Sequence, residues 1–357
     1  MFQKITLQQI RPYPQVQVEF GKNINVLFGP NGAGKTTIVE ALCVLSTTKS
    51  YRAAKLFDLV SFGEQIGKIT GETSDFDTLS VDIMPRKHIF YKNGDRITRT
   101  SQFLHSTKVV VLAPEHLHLI SGSGEKRRQF LDHLLCQKHP ILLDDFKAYR
   151  KTIKQKQALL KQNLNFSDYK SQVEPWNHQL FTHGEEIRKR RKELLNEIQS
   201  NVEKEYGEIS QTTEAVTLTY HQKEESMVER LAELEFQEYR IKRVLVGCHR
   251  DDFEIGLKGQ HADTIASQGE RASLLLALKF AEMNYLTDEQ IPVMLLDDVG
   301  VTLDDQRREH LFERLQKLQP QTLMTTPNPT IVENAKQIGA QVLMQKKSDF
   351  QTTTTWK

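Results

Sequence analysis

Ile5, Leu7 and Ile10, then Val16, Val18 and Phe20, recur at a period of two, which predicts two half-buried strands joined as a hairpin. Ile24, Val26, Leu27 and Phe28 form a short apolar run instead, the pattern of a parallel strand covered on both faces. Ile38, Ala41, Leu42 and Leu45 then follow at helical spacing. Leu79, Val81 and Ile83, with Ile89 and Tyr91, predict further strands, and Lys92-Asn93-Gly94-Asp95 carries the Asn-Gly signal of a tight hairpin turn. Val109-Val110-Val111-Leu112 predicts a buried strand ended by Ala113-Pro114-Glu115. From about Gly124 to Val244 the chain becomes charged and helical, with Phe130, Leu131, Leu134 and Leu135 on one face. Apolar strand patterns return at Val244-Leu245-Val246 and at Val293-Met294-Leu295-Leu296.

This pattern predicts an α/β fold with a mixed sheet, residues 1–105 and 245–357, and an inserted, mostly helical lobe over 106–244. A chain of 357 residues is long enough for two domains or for one domain with such an insertion. Its formal charge of +2, from 48 basic and 46 acidic residues, excludes a generic polycation, so any nucleic-acid surface is a local patch. Cys43, Cys136 and Cys248 lie far apart with no metal-ligand spacing, as expected of buried thiols in a reducing cytosol. No stretch approaches the roughly 18 consecutive apolar residues of a membrane span, and the first residues alternate as a strand does, unlike a signal segment. The expectation is a soluble, cytoplasmic protein without a membrane partner.

Between the apolar run and the first helix lies Gly29-Pro30-Asn31-Gly32-Ala33-Gly34-Lys35-Thr36-Thr37, a complete phosphate loop. Its glycines let backbone N–H groups face a phosphate, Lys35 carries a mobile positive charge to the β and γ phosphates, and the Thr36 hydroxyl is a ligand for Mg²⁺. Val293-Met294-Leu295-Leu296-Asp297-Asp298 is an apolar strand ending in two carboxylates. Asp297 is the expected metal-side acid, and Asp298 the acceptor that orients or deprotonates an attacking water. Ser267-Gln268-Gly269-Glu270 precedes a helical pattern at Leu274, Leu275, Ala277, Leu278 and Ala281. It reads as a capping box, and a capped helix start with free N–H groups is also an anion site. Its place shortly before the carboxylate strand is the order in which ATP-binding-cassette proteins carry their signature motif.

That order resembles the cassette ATPases, and the rest of the chain, almost end to end, resembles the RecF family of recombination and repair proteins. The segments that carry the resemblance are Lys49-Ser50-Tyr51-Arg52, Leu112-Ala113-Pro114-Glu115-His116-Leu117 and Gly124-Glu125-Lys126-Arg127-Arg128-Gln129-Phe130-Leu131-Asp132. Gly247-Cys248-His249-Arg250-Asp251-Asp252, Ser267-Gln268-Gly269-Glu270 and Leu296-Asp297-Asp298-Val299 complete them. The resemblance implies an ABC-type ATPase head without a long coiled coil. It would use ATP and Mg²⁺ and form a homodimer around ATP, with Gly29–Thr36 and Asp297 of one copy facing Ser267–Glu270 of the other. It further implies slow ATP hydrolysis, DNA binding at gaps and single-strand junctions, recombinase loading with RecO and RecR, and a part in the SOS response.

The chain departs from that family's pattern at Cys248, where Pro is usual, and at Val301-Thr302, where a serine hydroxyl is usual near the dimer contact. Asp304 remains as the acid of that loop. Within Met324-Thr325-Thr326-Pro327-Asn328 the usual switch histidine is missing, and Thr325 or Thr326 is expected in its place. Lys126-Arg127-Arg128, Arg150-Lys151 with Lys154 and Lys156, and Arg188-Lys189-Arg190-Arg191-Lys192 are candidate phosphate contacts or solvated helix faces. With no reader helix or zinc finger, such contacts would be to the DNA backbone, with little dependence on sequence. A transporter ATPase subunit shares all three motifs but has a much shorter helical insertion and needs a membrane partner. A small-molecule kinase explains the phosphate loop and leaves Ser267–Glu270 as a cap only, and a structural DNA-binding protein would not need Lys35.

Overall fold

The computed structural model describes residues 1–104, 106–223, 225–346 and 349–353; the side chains of Val301 and Thr302, where the family pattern is departed from, and those beyond residue 344 lie outside the described set. The described chain forms two compact units, one of Met1–Leu117, Lys204–Thr212 and Ala266–Lys357, the other of His118–Glu203 and Thr213–Ile265.

The first unit is built on two sheets. Phe2–Ile10 and Tyr13–Glu19 form the expected hairpin, extended antiparallel by Gly67–Thr73, Thr78–Ile83, His88–Lys92 and Asp95–Arg96. Its Asn93-Gly94 turn has both residues at positive φ, 54° and 86°, as a tight primed turn requires. The second sheet runs in the order Asp349–Thr353, Gln341–Lys346, Ile24–Phe28, Thr322–Thr326, Val293–Leu296, Val109–Leu112. All neighbours in it are parallel except the edge pair Gln341–Lys346 with Asp349–Thr353. The helix Lys35–Thr47 is buried almost all round. Ile38, Leu42 and Leu45 join Ile5 and Leu7 of the antiparallel sheet and Leu27, Val111, Leu295 and Leu323 of the parallel sheet in one core. A helix with apolar side chains on every face is stable only when both sides are covered.

The second unit contains the helices Gly124–Lys138, Leu142–Leu160 and Met227–Ile241 and the greater part of Phe166–Ser210, with a small sheet of Gln260–His261, Asp252–Leu257 and Val216–His221. The helical lobe expected over 106–244 is therefore displaced at both ends. Val109–Leu112 pairs with Val293–Leu296 inside the first unit, and Asp252–Leu257 pairs with Val216–His221 inside the second. The strand expected at Val244–Val246 does not form. The backbone N–H groups of Leu245 and Val246 donate to the buried Glu238 carboxylate at 2.6 and 3.3 Å, and that of Val244 donates to Gln157 Oε1, so no ladder is left to build.

At the centre of the second unit Asp251, fully buried, accepts from Arg188 Nε at 2.7 Å and Nη2 at 3.0 Å, from the Tyr220 hydroxyl at 2.8 Å and from the Lys223 N–H at 3.1 Å. Every lone pair of the carboxylate has a partner, which is what makes a buried charge tolerable. Asp251→Ala should leave the buried Arg188 without its main partner, with the half-exposed Glu185 still on Nη1, and destabilise this unit by about 3 kcal/mol, read by urea denaturation; a variant as stable as the parent chain would show that the pair contributes nothing.

Candidate nucleotide site

The strand Ile24–Phe28 delivers the loop Gly29–Gly34 to the start of the helix Lys35–Thr47. Gly32 and Gly34 adopt φ of 78° and 92°, in the region that favours glycine. A Cβ on Gly34 would also collide with the ring of Tyr13, whose hydroxyl donates to Ala33 O at 2.9 Å. The loop thus rests on a side chain from the antiparallel hairpin. Pro30 and Asn31 are exposed, while Lys35 and Thr37 are buried. Lys35 Nζ donates to Gly29 O and Pro30 O, both at 2.8 Å, leaving its third N–H for a phosphate oxygen. Burial lowers the Lys35 pKa against the opposing pull of Asp298 and Asp297.

Asp297 ends the strand Val293–Leu296 and is buried. Its Oδ1 accepts from the Thr36 hydroxyl at 2.9 Å and from the Thr325 hydroxyl at 2.7 Å, and its Oδ2 accepts from the Tyr51 hydroxyl at 2.9 Å. Thr36 comes from the loop helix, Thr325 from the neighbouring parallel strand Thr322–Thr326 and Tyr51 from the turn after the helix, so three other chain segments converge on the Asp297 carboxylate. Burial, then Asp297 beside it, raises the Tyr51 pKa, which keeps the phenol a donor. The hydroxyl and carboxylate that meet here are hard oxygen donors, the set Mg²⁺ prefers.

Asp298 stands in the left-handed region at φ 47°, ψ 55°, a conformation costing a non-glycine residue roughly 1–2 kcal/mol. Its N–H donates to Thr325 Oγ1 at 2.9 Å, so one threonine hydroxyl braces both acids. Burial, reinforced by Asp297 and opposed by Lys35, raises the pKa of the Asp298 carboxyl from its ordinary value. Such a group can accept a proton from water more readily than an exposed aspartate.

Ser267 to Glu270 form a second locus, at the start of the helix Gln268–Leu286. The capping box is realised: Ser267 Oγ accepts from the Glu270 N–H at 3.2 Å and Glu270 Oε2 from the Ser267 N–H at 2.8 Å. Ser267 and Gln268 are exposed, Gly269 half-buried. Asp304 caps the helix Asp305–Leu318, its carboxylate accepting from the Arg307 N–H at 3.1 Å. Of the two threonines expected near the switch position, Thr325 binds Asp297, whereas Thr326 Oγ1 accepts from the Asn328 N–H.

The basic candidates separate by environment. Arg188 is 2% exposed and clamped on Asp251, so it is a strut and not a contact for DNA. Arg127 holds Asp252 through two bonds of 2.7 and 2.9 Å, and Arg128 donates to Asp251 O at 2.6 Å. Arg191 is likewise buried on Asp132, and Lys156 on Glu238. Arg190 is half-exposed between Glu186 and Glu193. Lys126, Arg150, Lys151, Lys154, Lys189 and Lys192 are exposed. Spacing in the sequence could not separate struts from surface charges, because the carboxylates that bury the arginines lie about sixty or more residues away.

Residues 4–321 match the sequence family described as AAA domain. The DNA replication and repair protein RecF of Halalkalibacterium halodurans is 32% identical over 343 residues, 91% of this chain and 92% of the relative. RecF of Desulfitobacterium hafniense is 33% identical over 347 residues, 92% of this chain and 94% of the relative. Among solved structures, one of the recombination mediator protein RecF-ATPrS in the RecFOR pathway superposes with a TM-score of 0.87 at 24% identity, covering 99% of this chain and 98% of that one. An Smc head domain from Pyrococcus furiosus superposes with a TM-score of 0.57 at 16% identity, covering 99% and 95%. The fold is an ABC-type ATPase head. Within that class, the chain belongs to the RecF family of DNA replication and repair proteins.

Tyr51 lies in the Lys49–Arg52 segment, to which the sequence alone attaches no role; its place beside Asp297 emerges only from the folded contacts. Lys35→Ala should weaken ATP binding by roughly two orders of magnitude, as expected for loss of a charge-assisted phosphate contact. Tyr51→Phe should leave binding in EDTA unchanged and raise the Mg²⁺ concentration needed for tight binding by about tenfold. Calorimetric titrations with and without Mg²⁺ separate the two, and equal metal dependence in wild type and Tyr51→Phe would remove Tyr51 from the site.

Proposed function

We propose that this chain is an ATP-dependent DNA-binding protein of recombinational repair and replication restart, a weak ATPase whose nucleotide is shared by two copies. The observation that carries the proposal is the Asp297 carboxylate bonded to Thr36 of the phosphate loop, with the pKa-raised Asp298 beside it and an exposed signature cap at Ser267. The RecF-ATPrS neighbour and the curated RecF relatives support the same reading.

In the proposed cycle, the N–H groups of Gly32 to Thr37 and the Lys35 ammonium bind the phosphates. Thr36 and Asp297 would hold a Mg²⁺ ion, which would supply positive charge against the phosphates. Ser267, Gln268 and Gly269 of a second copy present the start of their helix to the γ phosphate, so ATP joins two chains. Asp298 orients the attacking water and takes its proton. Hydrolysis removes the group both copies share, and the dimer opens.

Before hydrolysis, the ATP-bound form binds DNA through exposed lysines and arginines, mainly to the backbone, at gaps and single-strand junctions. The RecFOR placement of the structural neighbour supports RecO and RecR as partners. Recombinase loading, a part in the SOS response and a cytoplasmic location complete the proposed role. Among the described residues no helix is long and apolar enough to cross a membrane.

Light scattering with ATP and a gapped duplex tests the proposal. Wild type should dimerise with ATP, Asp298→Asn should accumulate the dimer without phosphate release, and Ser267→Arg should bind ATP but stay monomeric. With about six phosphate contacts, DNA affinity should fall on the order of a thousandfold from 50 to 200 mM salt. Unchanged dimerisation of Ser267→Arg, or DNA binding indifferent to salt, would overturn it.

A further inference from the structure

Arg307 lies three residues after Asp304, on the helix Asp305–Leu318, yet its guanidinium does more than pair with its own turn. Nη1 bonds Asp304 Oδ2, and Nε donates to Ser273 Oγ at 2.8 Å. Ser273 is fully buried in the helix Gln268–Leu286, one and a half turns into the signature helix. The plane lies against Gly269: a Cβ built there would sit 3.0 Å from Nη2 and 3.3 Å from both Cζ and Nη1, tighter than side chains ordinarily pack. Only 15% of the Arg307 side chain is exposed, against 55% for Asp304.

An exposed i,i+3 pair contributes little to stability and needs no fixed geometry. Here the planar, forked donor is fixed on three sides, by a capping carboxylate of one helix, by a buried hydroxyl of another and by a glycine face. A lysine has one nitrogen and lacks the planar fork that holds separate acceptors in a fixed geometry.

We propose that Arg307 is a positioning residue that locks the signature turn Ser267–Gly269 to the Asp304 turn, so that both are presented to the second copy's nucleotide as one rigid surface. The assignment rests on the composite-site reading above. It also gives Gly269 a second reason to lack a side chain: the guanidinium occupies the space a Cβ would need. Two turns that are ordered before association lose less conformational freedom when the dimer forms, which strengthens it without a new contact.

Two measurements test this. Amide hydrogen exchange on the monomer without nucleotide reads the lock itself. Arg307→Ala should speed exchange at both 267–270 and 303–305, Arg307→Lys should lie between, and exchange elsewhere and ATP affinity should stay as in wild type. Exchange unchanged at either turn would overturn the assignment, whether or not ATP drives dimerisation. The second measurement is the ATP-dependent dimer constant by light scattering. Arg307→Ala should weaken it by about tenfold or more, because both turns must then be ordered as the dimer forms. Gly269→Ala should weaken it in wild type but add little in the Arg307→Ala background, because the clash is with a side chain already removed. Effects that multiply in the double variant would mean that Gly269 serves only phosphate approach, and would overturn the second half of the assignment. A wild-type chain that fails to dimerise with ATP would sink the composite site and leave the exchange result standing.

Discussion

The Asp297 carboxylate is the constraint on which the first unit turns. It is buried at the end of a parallel strand, and a buried charge is stable only if its oxygens are occupied. Thr36, Thr325 and Tyr51 occupy them, and each comes from a different segment, so satisfying one charge fixes the loop helix, the adjacent strand and the turn after the helix in mutual register. The chemistry of the site and the cohesion of the sheet therefore depend on the same hydrogen bonds. Asp298 is held in its left-handed conformation by the same Thr325 hydroxyl, which links the strained residue to the satisfied one.

The second unit solves a comparable problem with guanidinium groups. Gly124–Asp132 and Gly247–Asp252, two of the runs that carry the family resemblance, meet through Arg127 on Asp252, Arg128 on the Asp251 carbonyl and Arg191 on Asp132 and the Cys248 carbonyl. Their charge pattern suggests a nucleic-acid surface when read along the chain. In the fold much of that charge is internal, and the lysines, whose single ammonium suits a solvated position, are left outside apart from Lys156.

Features set by near neighbours in the chain are legible in the amino-acid sequence: the phosphate loop, the Asn93-Gly94 turn, the buried strand ahead of Asp297 and the Ser267–Glu270 box each depend on residues within a few positions of one another. Contacts of long sequence range are not. Val244–Val246 has the composition of a strand, but Glu238 takes its N–H groups first. Tyr51 is 246 positions from the acid it binds, and no period or spacing marks it. Arg307 looks like an ordinary helix pair until Ser273 and Gly269 are brought against it.

Tyr13 extends this dependence to the first hairpin. It pairs with Ile10 at the end of that hairpin, and its hydroxyl supports the carbonyl of Ala33 while its ring lies where a Gly34 side chain would be. Side chains along a strand alternate between faces, so a slip of one residue in that pairing would turn Tyr13 away and leave the loop without its floor. Nucleotide binding is in this sense a proofreader of folding: a chain whose opening strands pair out of step cannot assemble the pocket, and only correctly registered molecules are stabilised by ligand.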